Sequence, residues 1–341
     1  ELAERLGLSR SAVAGHIAAL TRERRILGRA YVLPAARPVV CIGASNVDRK
    51  LRSLATLQLH TSNPASLSET PGGVARNVAE NLARLGLEVH LLSAVGEDAA
   101  GRSLLAHLQG LGVTTSGSLL ADDAHTGSYT AVLDAQGELL LALAHMDLVD
   151  LMTPAWLAQC SAQRAQAGTL LMDLNLPSDT ASALVAEARV SGQTLVAVAV
   201  SQPKMDRLPE DLRGLDLLVL NRDELQTLCG HKLGSERAWG RALGQLRERG
   251  LRRLVVTQGA EGVRLAEDGK AFATLAAPKV RVRDVTGAGD AFAAGVCAGL
   301  HQEPEDLRTA CRLGLTLAAL TLQTEHTVHP DLSPELLSHA A

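Results

Sequence analysis

From Val39 onward, short apolar runs alternate with longer stretches in which apolar positions recur at helical spacing. Val39-Val40-Cys41-Ile42-Gly43 reads as a buried strand, and Val74, Val78, Leu82 and Leu85 line one face of a helix that follows Gly73. Leu87 to Val95 predicts a strand and Ala99 to Gly110 a helix. Thr126 to Leu133 and Glu138 to Ala144 predict a hairpin turning at Ala135-Gln136-Gly137. A helix over 153–167 comes next, then strands Thr169 to Asp173 and Thr194 to Val200 on either side of a helix over 179–190. Strands Leu215 to Leu220 and Arg253 to Thr257, a small β-meander through Val282, and helices from Ala288 onward complete the series. Strands alternating with helices predict an α/β fold with a mostly parallel sheet covered on both faces. The hairpin and the segment Leu51 to Pro71 interrupt the alternation. They predict a small β lid, near 51–71 and 126–145, over a site at the strand ends.

Residues 1–33 follow another pattern. A short helix, a turn at Gly7 and a second helix capped by Ser9, with Val13, Ile17 and Leu20 as its apolar stripe, resemble the helix-turn-helix half of a winged-helix domain. Arg29-Ala30-Tyr31-Val32-Leu33 would be its wing strand. Arg5, Arg10, Arg22, Arg24, Arg25 and Arg29 outnumber Glu1, Glu4 and Glu23, so DNA phosphates are an expected partner of residues 1–33. A helical pair used for dimerisation is the alternative. Pro34 and Pro38 then bracket a linker.

Bulk composition narrows the classes. The 341 residues suffice for one large α/β domain with a small appendage. Aromatics make up only 2%, so the core is expected to rest on Ala, Leu and Val, and stacking on bases should be scarce. A net charge of −4 gives no global attraction to nucleic acid. Cys41, Cys160, Cys229, Cys297 and Cys311 are scattered without metal-ligand spacing, which predicts a cytoplasmic protein. No apolar run is long enough to span a bilayer, so no membrane partner is expected.

Chemistry concentrates in Asp284-Val285-Thr286-Gly287-Ala288-Gly289-Asp290-Ala291-Phe292. Three small residues where a strand hands over to a helix free the opening N–H groups to face an anion. Asp290, next in the chain, is placed to accept the proton of an attacking hydroxyl while the Gly287, Ala288 and Gly289 amides stabilise a transferring phosphoryl group. Walker A and Gly-x-Gly-x-x-Gly sequences are absent. A paired-glycine turn, Thr70-Pro71-Gly72-Gly73, instead feeds the helix that carries Asn77.

These two motifs, more than 200 residues apart, resemble the signatures of the ribokinase-like, or PfkB, sugar and nucleoside kinases, over about Val39 to Leu332. The resemblance implies a kinase domain over 39–335, ATP as donor, magnesium, a small-molecule substrate and a homodimer. In Gly43-Ala44-Ser45-Asn46-Val47-Asp48 it implies that Asn46 and Asp48 hold ribose hydroxyls together with Gly72, Gly73 and Asn77. Asn221-Arg222-Asp223-Glu224 resembles the family's Asn-x-x-Glu motif, so Asn221 and Glu224 are expected to organise magnesium through water. Thr257, Gly259, Gly262 and Lys204 fall at nucleotide-binding positions. Asp284 and Thr286 fall where the family places carbonyls around a monovalent cation such as K+.

Within the family, several segments are similar to those of pseudouridine kinases. Ser62-Asn63-Pro64, Gly72-Gly73-Val74-Ala75-Arg76-Asn77, Thr126-Gly127-Ser128-Tyr129 and Asp173-Leu174-Asn175 carry this likeness, as does Glu325 to Leu332. It implies transfer to the 5′-hydroxyl of a ribonucleoside, with Asn63 and Asn175 pairing a uracil edge and Thr126 and Ser128 nearby. Val198-Ala199-Val200-Ser201 departs from the Asp-Pro-Val-Ser expected there. Another nucleoside or a pentose as acceptor is the alternative, and so is a transcriptional regulator that uses the kinase fold as a ligand sensor.

Overall fold

In the computed structural model, residues 3, 6–23, 25, 26 and 37–340 are described. Helix α1 (Arg10–Arg22) starts at Ser9, whose hydroxyl accepts the Ala12 N–H at 3.2 Å. The wing strand expected at 29–33 and most of the first helix lie outside the described residues.

The α/β region begins with β1 (Val39–Ile42), β2 (Asn46–Ser53), β3 (Ala65–Gly72), α2 (Val74–Arg84), β4 (Val89–Leu92), β5 (Ala94–Gly96) and α3 (Ala99–Gly110). Then come β6 (Leu119–Ala121), β7 (Gly127–Leu133), β8 (Leu139–His145), α4 (Pro154–Gln159), α5 (Ser161–Gln166), β9 (Thr169–Asp173), α6 (Ser178–Ser191) and β10 (Thr194–Val198). β11 (Leu217–Asn221), α7 (Arg222–Cys229), α8 (Glu236–Glu248), β12 (Arg253–Thr257), β13 (Val263–Ala266) and β14 (Ala273–Leu275) precede α9 (Ala288–Gln302), α10 (Leu307–Thr321) and α11 (Pro334–Ala340).

The main sheet runs β14-β13-β12-β11-β10-β9-β1-β4, parallel except for the antiparallel β13 and β14 at one edge. Successive residues of its central strands bury to opposite sides. Val40, Ile42, Leu170, Met172, Leu218 and Leu220 pack with α4, α6, α7 and α8, whereas Val39, Cys41, Leu171, Val196 and Val219 pack with α2, α9 and α10. Both faces are therefore dry, which is why these strands are nearly uninterrupted in apolar residues. Losing a side chain such as Ile42 to alanine would cost about 2–5 kcal/mol. The parallel strands end together at Gly43, Asp173, Val198, Asn221 and Thr257, the edge where ligands collect in open α/β sheets.

A second sheet, β3-β2-β7-β8, contains the segments expected as the lid. It starts at Asn46, earlier than the expected lid segment, so Asn46 and Asp48 are part of the lid itself. The expected strand Leu87 to Val95 divides at Ser93, whose N–H bonds to the Ser118 hydroxyl, and β5 turns away to pair with β6. The expected helix over 153–167 divides at Cys160 because the buried Arg164 turns inward to the Leu157 carbonyl and Glu187. α8 lies outside the expected series, and the meander ends at Leu275 rather than Val282. No helix among the described residues is long and apolar enough to cross a membrane.

Candidate active site

α9 opens at Gly287 with φ +80°, and a Cβ there would lie 2.0 Å from the Thr327 carbonyl oxygen. Backbone conformation and contact both exclude a side chain, so the turn can bring its amides forward. The N–H groups of Gly287, Gly289 and Asp290 have no backbone partner among the described residues; that of Ala288, expected to face the anion, instead bonds to the Val285 carbonyl at 3.3 Å, and that of Ala291 closes the helix on Gly287. This is an anion seat of the kind helix N-termini provide.

Asp290 stands beside it in the first turn. Asn77 Nδ2 donates to Asp290 Oδ2 at 2.7 Å across the interface between α2 and α9. Burial pushes the Asp290 carboxyl up to about 7; the charges of Asp173 and Asp48 also raise it, against the Asn77 hydrogen bond and the Arg76 guanidinium. A carboxylate tuned this way can accept a proton near neutral pH.

Asp48 faces the same cleft from β2. Its carboxylate accepts from Asn46 Nδ2 at 2.7 Å and lies against Gly72, where a Cβ would be only 2.4 Å from Oδ2. Pairing of β2 with β3 sets Asn46 opposite Gly72 and so brings the two motifs together. Burial raises the Asp48 pKa despite Asn46, Arg76 and Lys50. Asn46, Asp48, Gly72, Gly73, Asn77 and Asp290 thus form one cluster.

The positions expected for the nucleotide lie on the other side of the amides. A cavity of 540 Å³ is lined by Thr257, Gly259, Gly262, Ala288, Gly289 and Phe292, and one of 240 Å³ by Asn221, Asp223, Thr257 and Gly259. The first has the size of a small-molecule pocket. A larger cavity of 640 Å³, among Arg189, Gly214, Asp216 and Gly250 at the opposite end of the strands, holds none of this chemistry. Asn221 and Glu224 form a capping box: Asn221 Oδ1 accepts the Glu224 N–H at 2.9 Å and Glu224 Oε2 accepts the Asn221 N–H at 2.7 Å. Glu224 Oε1 and Asn221 Nδ2 have no partner among the described residues. Those two open atoms fit a magnesium ion held through water, because magnesium keeps most of its waters and takes few protein ligands.

Other expected positions have their polar groups engaged within the protein. Asn63 accepts from the Gln58 N–H and donates to the Gln58 and Thr61 carbonyls, pinning the loop between β2 and β3. The Thr126 hydroxyl and N–H both donate to Asp98, leaving neither for a ligand. Ser128 is half-buried on β7 opposite Val47. Asn175 is buried, and its Oδ1 accepts from Lys204 Nζ, so Lys204 packs beside Asp173 and Asn175 rather than in the two cavities above. Asp284 accepts from the Thr286 N–H and hydroxyl and from Lys50 Nζ at 2.7 Å, which leaves main-chain carbonyls as the donors available to a monovalent cation. Despite its burial, the Lys50 and Thr286 hydrogen bonds hold the Asp284 carboxyl down at about 2.

Three further residues belong to the site. Asp173 accepts from the N–H groups of Ala44, Ala75 and Asn175, tying the ends of β1 and β9 to the start of α2. Lys50 joins the lid to Asp284, and Arg76 bonds to Asn77. Arg76, Glu80 and Arg84, spaced four apart on α2, read from the sequence as an exposed row of i,i+4 charges, and only the structure shows Arg76 and Glu80 to be buried.

Residues 36–334 match the profile described as pfkB family carbohydrate kinase. Pseudouridine kinase of Escherichia coli (strain K12) is 34% identical over 295 residues, 86% of this chain and 93% of the relative. A solved carbohydrate kinase from Agrobacterium tumefaciens is 34% identical with TM-score 0.75, covering 89% of this chain and 96% of that one. Arabidopsis thaliana ribokinase complexed with ribose and ATP shares the fold at 20% identity, with TM-score 0.78 and coverage of 89% and 98%.

Proposed function

We propose, because this chain belongs to the pfkB family of carbohydrate kinases and is therefore a phosphotransferase with an alcohol acceptor, that it phosphorylates the 5′-hydroxyl of a ribonucleoside, pseudouridine before others, with ATP as donor. The Asn77 to Asp290 contact at the opening of α9 carries this reading, because it sets a neutral-range carboxylate beside three unpaired amides. Asp48 and Asn46 hold the ribose hydroxyls. Asp290 accepts the 5′-hydroxyl proton, the freed oxygen bonds to the γ-phosphorus, and the bond to the bridging oxygen breaks to release ADP. The Gly287, Gly289 and Asp290 N–H groups stabilise the charge on the transferring group. Asn221 and Glu224 would hold magnesium, which neutralises phosphate charge when bound. The cavity lined by Thr257, Gly262 and Phe292 receives the adenine, and ATP is named with the Arabidopsis ribokinase.

Engagement of Asn63 and Asn175 within the protein favours a second reading, in which the sugar is gripped more firmly than the base and other nucleosides or pentoses are accepted. A homodimer formed through the lid belongs to the proposal. DNA contact by residues 1–33 is supported only by the Ser9-capped helix and its arginines, and salt-sensitive retention on DNA would establish it. The function is tested by an ATP-consumption screen with pseudouridine, uridine, inosine, adenosine and ribose. Pseudouridine should turn over well ahead of uridine; equal rates would favour the second reading, and no turnover with any nucleoside would end the first.

A further inference from the structure

We infer that Arg76 is a positioning residue for Asp290, holding the Asn77 amide in the one orientation that presents its N–H to the carboxylate. The inference rests on the assignment of Asp290 as the base. An asparagine amide fits its site either way round, and only its neighbours decide which end is oxygen. Arg76 Nε lies 3.1 Å from one end of the Asn77 amide, and a guanidinium can only donate. Oδ1 must therefore face Arg76, and Nδ2 is directed at Asp290 Oδ2, 2.7 Å away. One Asp290 oxygen is thereby occupied, and Oδ1 is kept for the substrate hydroxyl.

The rest of the network fixes the guanidinium. Arg76 is only 1% exposed, and its Nη2 donates to Glu80 Oε2 at 2.5 Å. Glu80 also accepts from Arg84 Nε at 2.9 Å and lies 3.2 Å from His107 Nε2. Nη1 has no partner among the described residues. Glu80 is its direct counter-charge, and Asp290 from α9 and Asp48 from β2 interact with the same guanidinium. Orientation and charge are thus two separable contributions of a single side chain. Asp48 and Asp173 face the same carboxyl and stay unchanged in the variants below, so a difference between their pH profiles reports on Arg76.

The test compares the intact chain with Arg76→Gln, Arg76→Lys and Asp290→Asn, measuring kcat and KM for the nucleoside across pH with saturating magnesium and ATP. In Arg76→Gln the acidic limb of kcat should move to higher pH by about one unit or more, because an opposite charge favouring the ionised carboxyl is gone. Arg76→Lys keeps the charge and should keep the limb, but it lacks the planar fork that lets Nε hold Asn77 while Nη2 holds Glu80, so both variants should lose about tenfold or more of plateau kcat, with acceptor KM much less affected. Unmoved limbs with equal losses at every pH would reduce Arg76 to a structural role and overturn the inference. Should thermal melting show Arg76→Gln unfolded, Arg76→Lys decides: a wild-type plateau would refute the orientation argument. Near wild-type turnover in Asp290→Asn would instead remove the base assignment itself.

Discussion

At Asp290, the burial that makes a carboxylate a competent base near neutral pH also works against the folded chain. Its pKa is pushed up to about 7, from an ordinary value of 3.8. Between those values the folded state binds the proton that the unfolded chain has released, so stability falls as pH rises through this window. Activity runs the other way, because only the ionised carboxyl accepts a proton: kcat/KM for the acceptor should rise with pH and level off above about 7. Asp290→Asn keeps an oxygen for the Asn77 amide and removes the charge. It should lower kcat at least about 10²-fold and, at pH 8, raise the melting temperature above that of the wild type. A melting temperature unchanged or lowered at pH 8 would contradict the burial argument, whatever the kinetics show.

Strand β2 joins the lid to the catalytic turn in a few residues, with Asn46 and Asp48 at its start and Lys50 bonded to Asp284 just before the Gly287 amides. Both members of that ion pair keep some exposure, so it should stabilise the fold by no more than about 0.2–1 kcal/mol. Its larger effect is on where Asp48 sits. Lys50→Met is expected to leave the melting temperature within a few degrees while raising the acceptor KM several-fold, and steady-state kinetics beside a thermal melt would show it. An unchanged KM would mean that β2 is held by its pairing with β3 and β7 alone. The sequence of β2, Asn46-Val47-Asp48-Arg49-Lys50-Leu51-Arg52-Ser53, is too polar to announce a strand, because its conformation comes from the neighbours on each side. By contrast Thr169–Asp173, buried on both faces, and Ala99–Gly110 were legible to the residue. The same division runs through the site. Motif glycines and acids announce themselves because backbone geometry demands them, whereas the engagement of Asn63, Thr126 and Asn175 by internal partners depends on residues distant in sequence. Arg76 and Glu80 would pass for a solvated i,i+4 pair until α2 is seen buried between the sheet and α9.

The lid sheet ends in β8, Leu139-Leu140-Leu141-Ala142-Leu143-Ala144-His145, whose every residue is exposed. Among the described residues β8 pairs with β7 on one side only, and its leucines point alternately to both faces; Leu139 and Leu143 are 57% and 59% exposed. Edge strands are normally blunted with charges, proline or a short length, and this one has no Asp, Glu, Lys, Arg or proline over its seven residues. A second copy of the same strand supplies a partner of matching length and apolarity, and two-fold antiparallel pairing would satisfy the free backbone groups of both. Tyr129 on β7, paired with Ala144 and itself exposed, extends the apolar surface beside that edge. The wild-type chain is therefore expected to sediment as a dimer. Leu141→Asp combined with Leu143→Asp sets like charges against each other across the two-fold axis and should give monomers. Because the lid carries Asp48, the monomer should also bind the acceptor more weakly, while the ATP cavity on the far side of the amides keeps its affinity. A double variant that still sediments as a dimer would move the interface elsewhere, and a monomeric wild type would remove it.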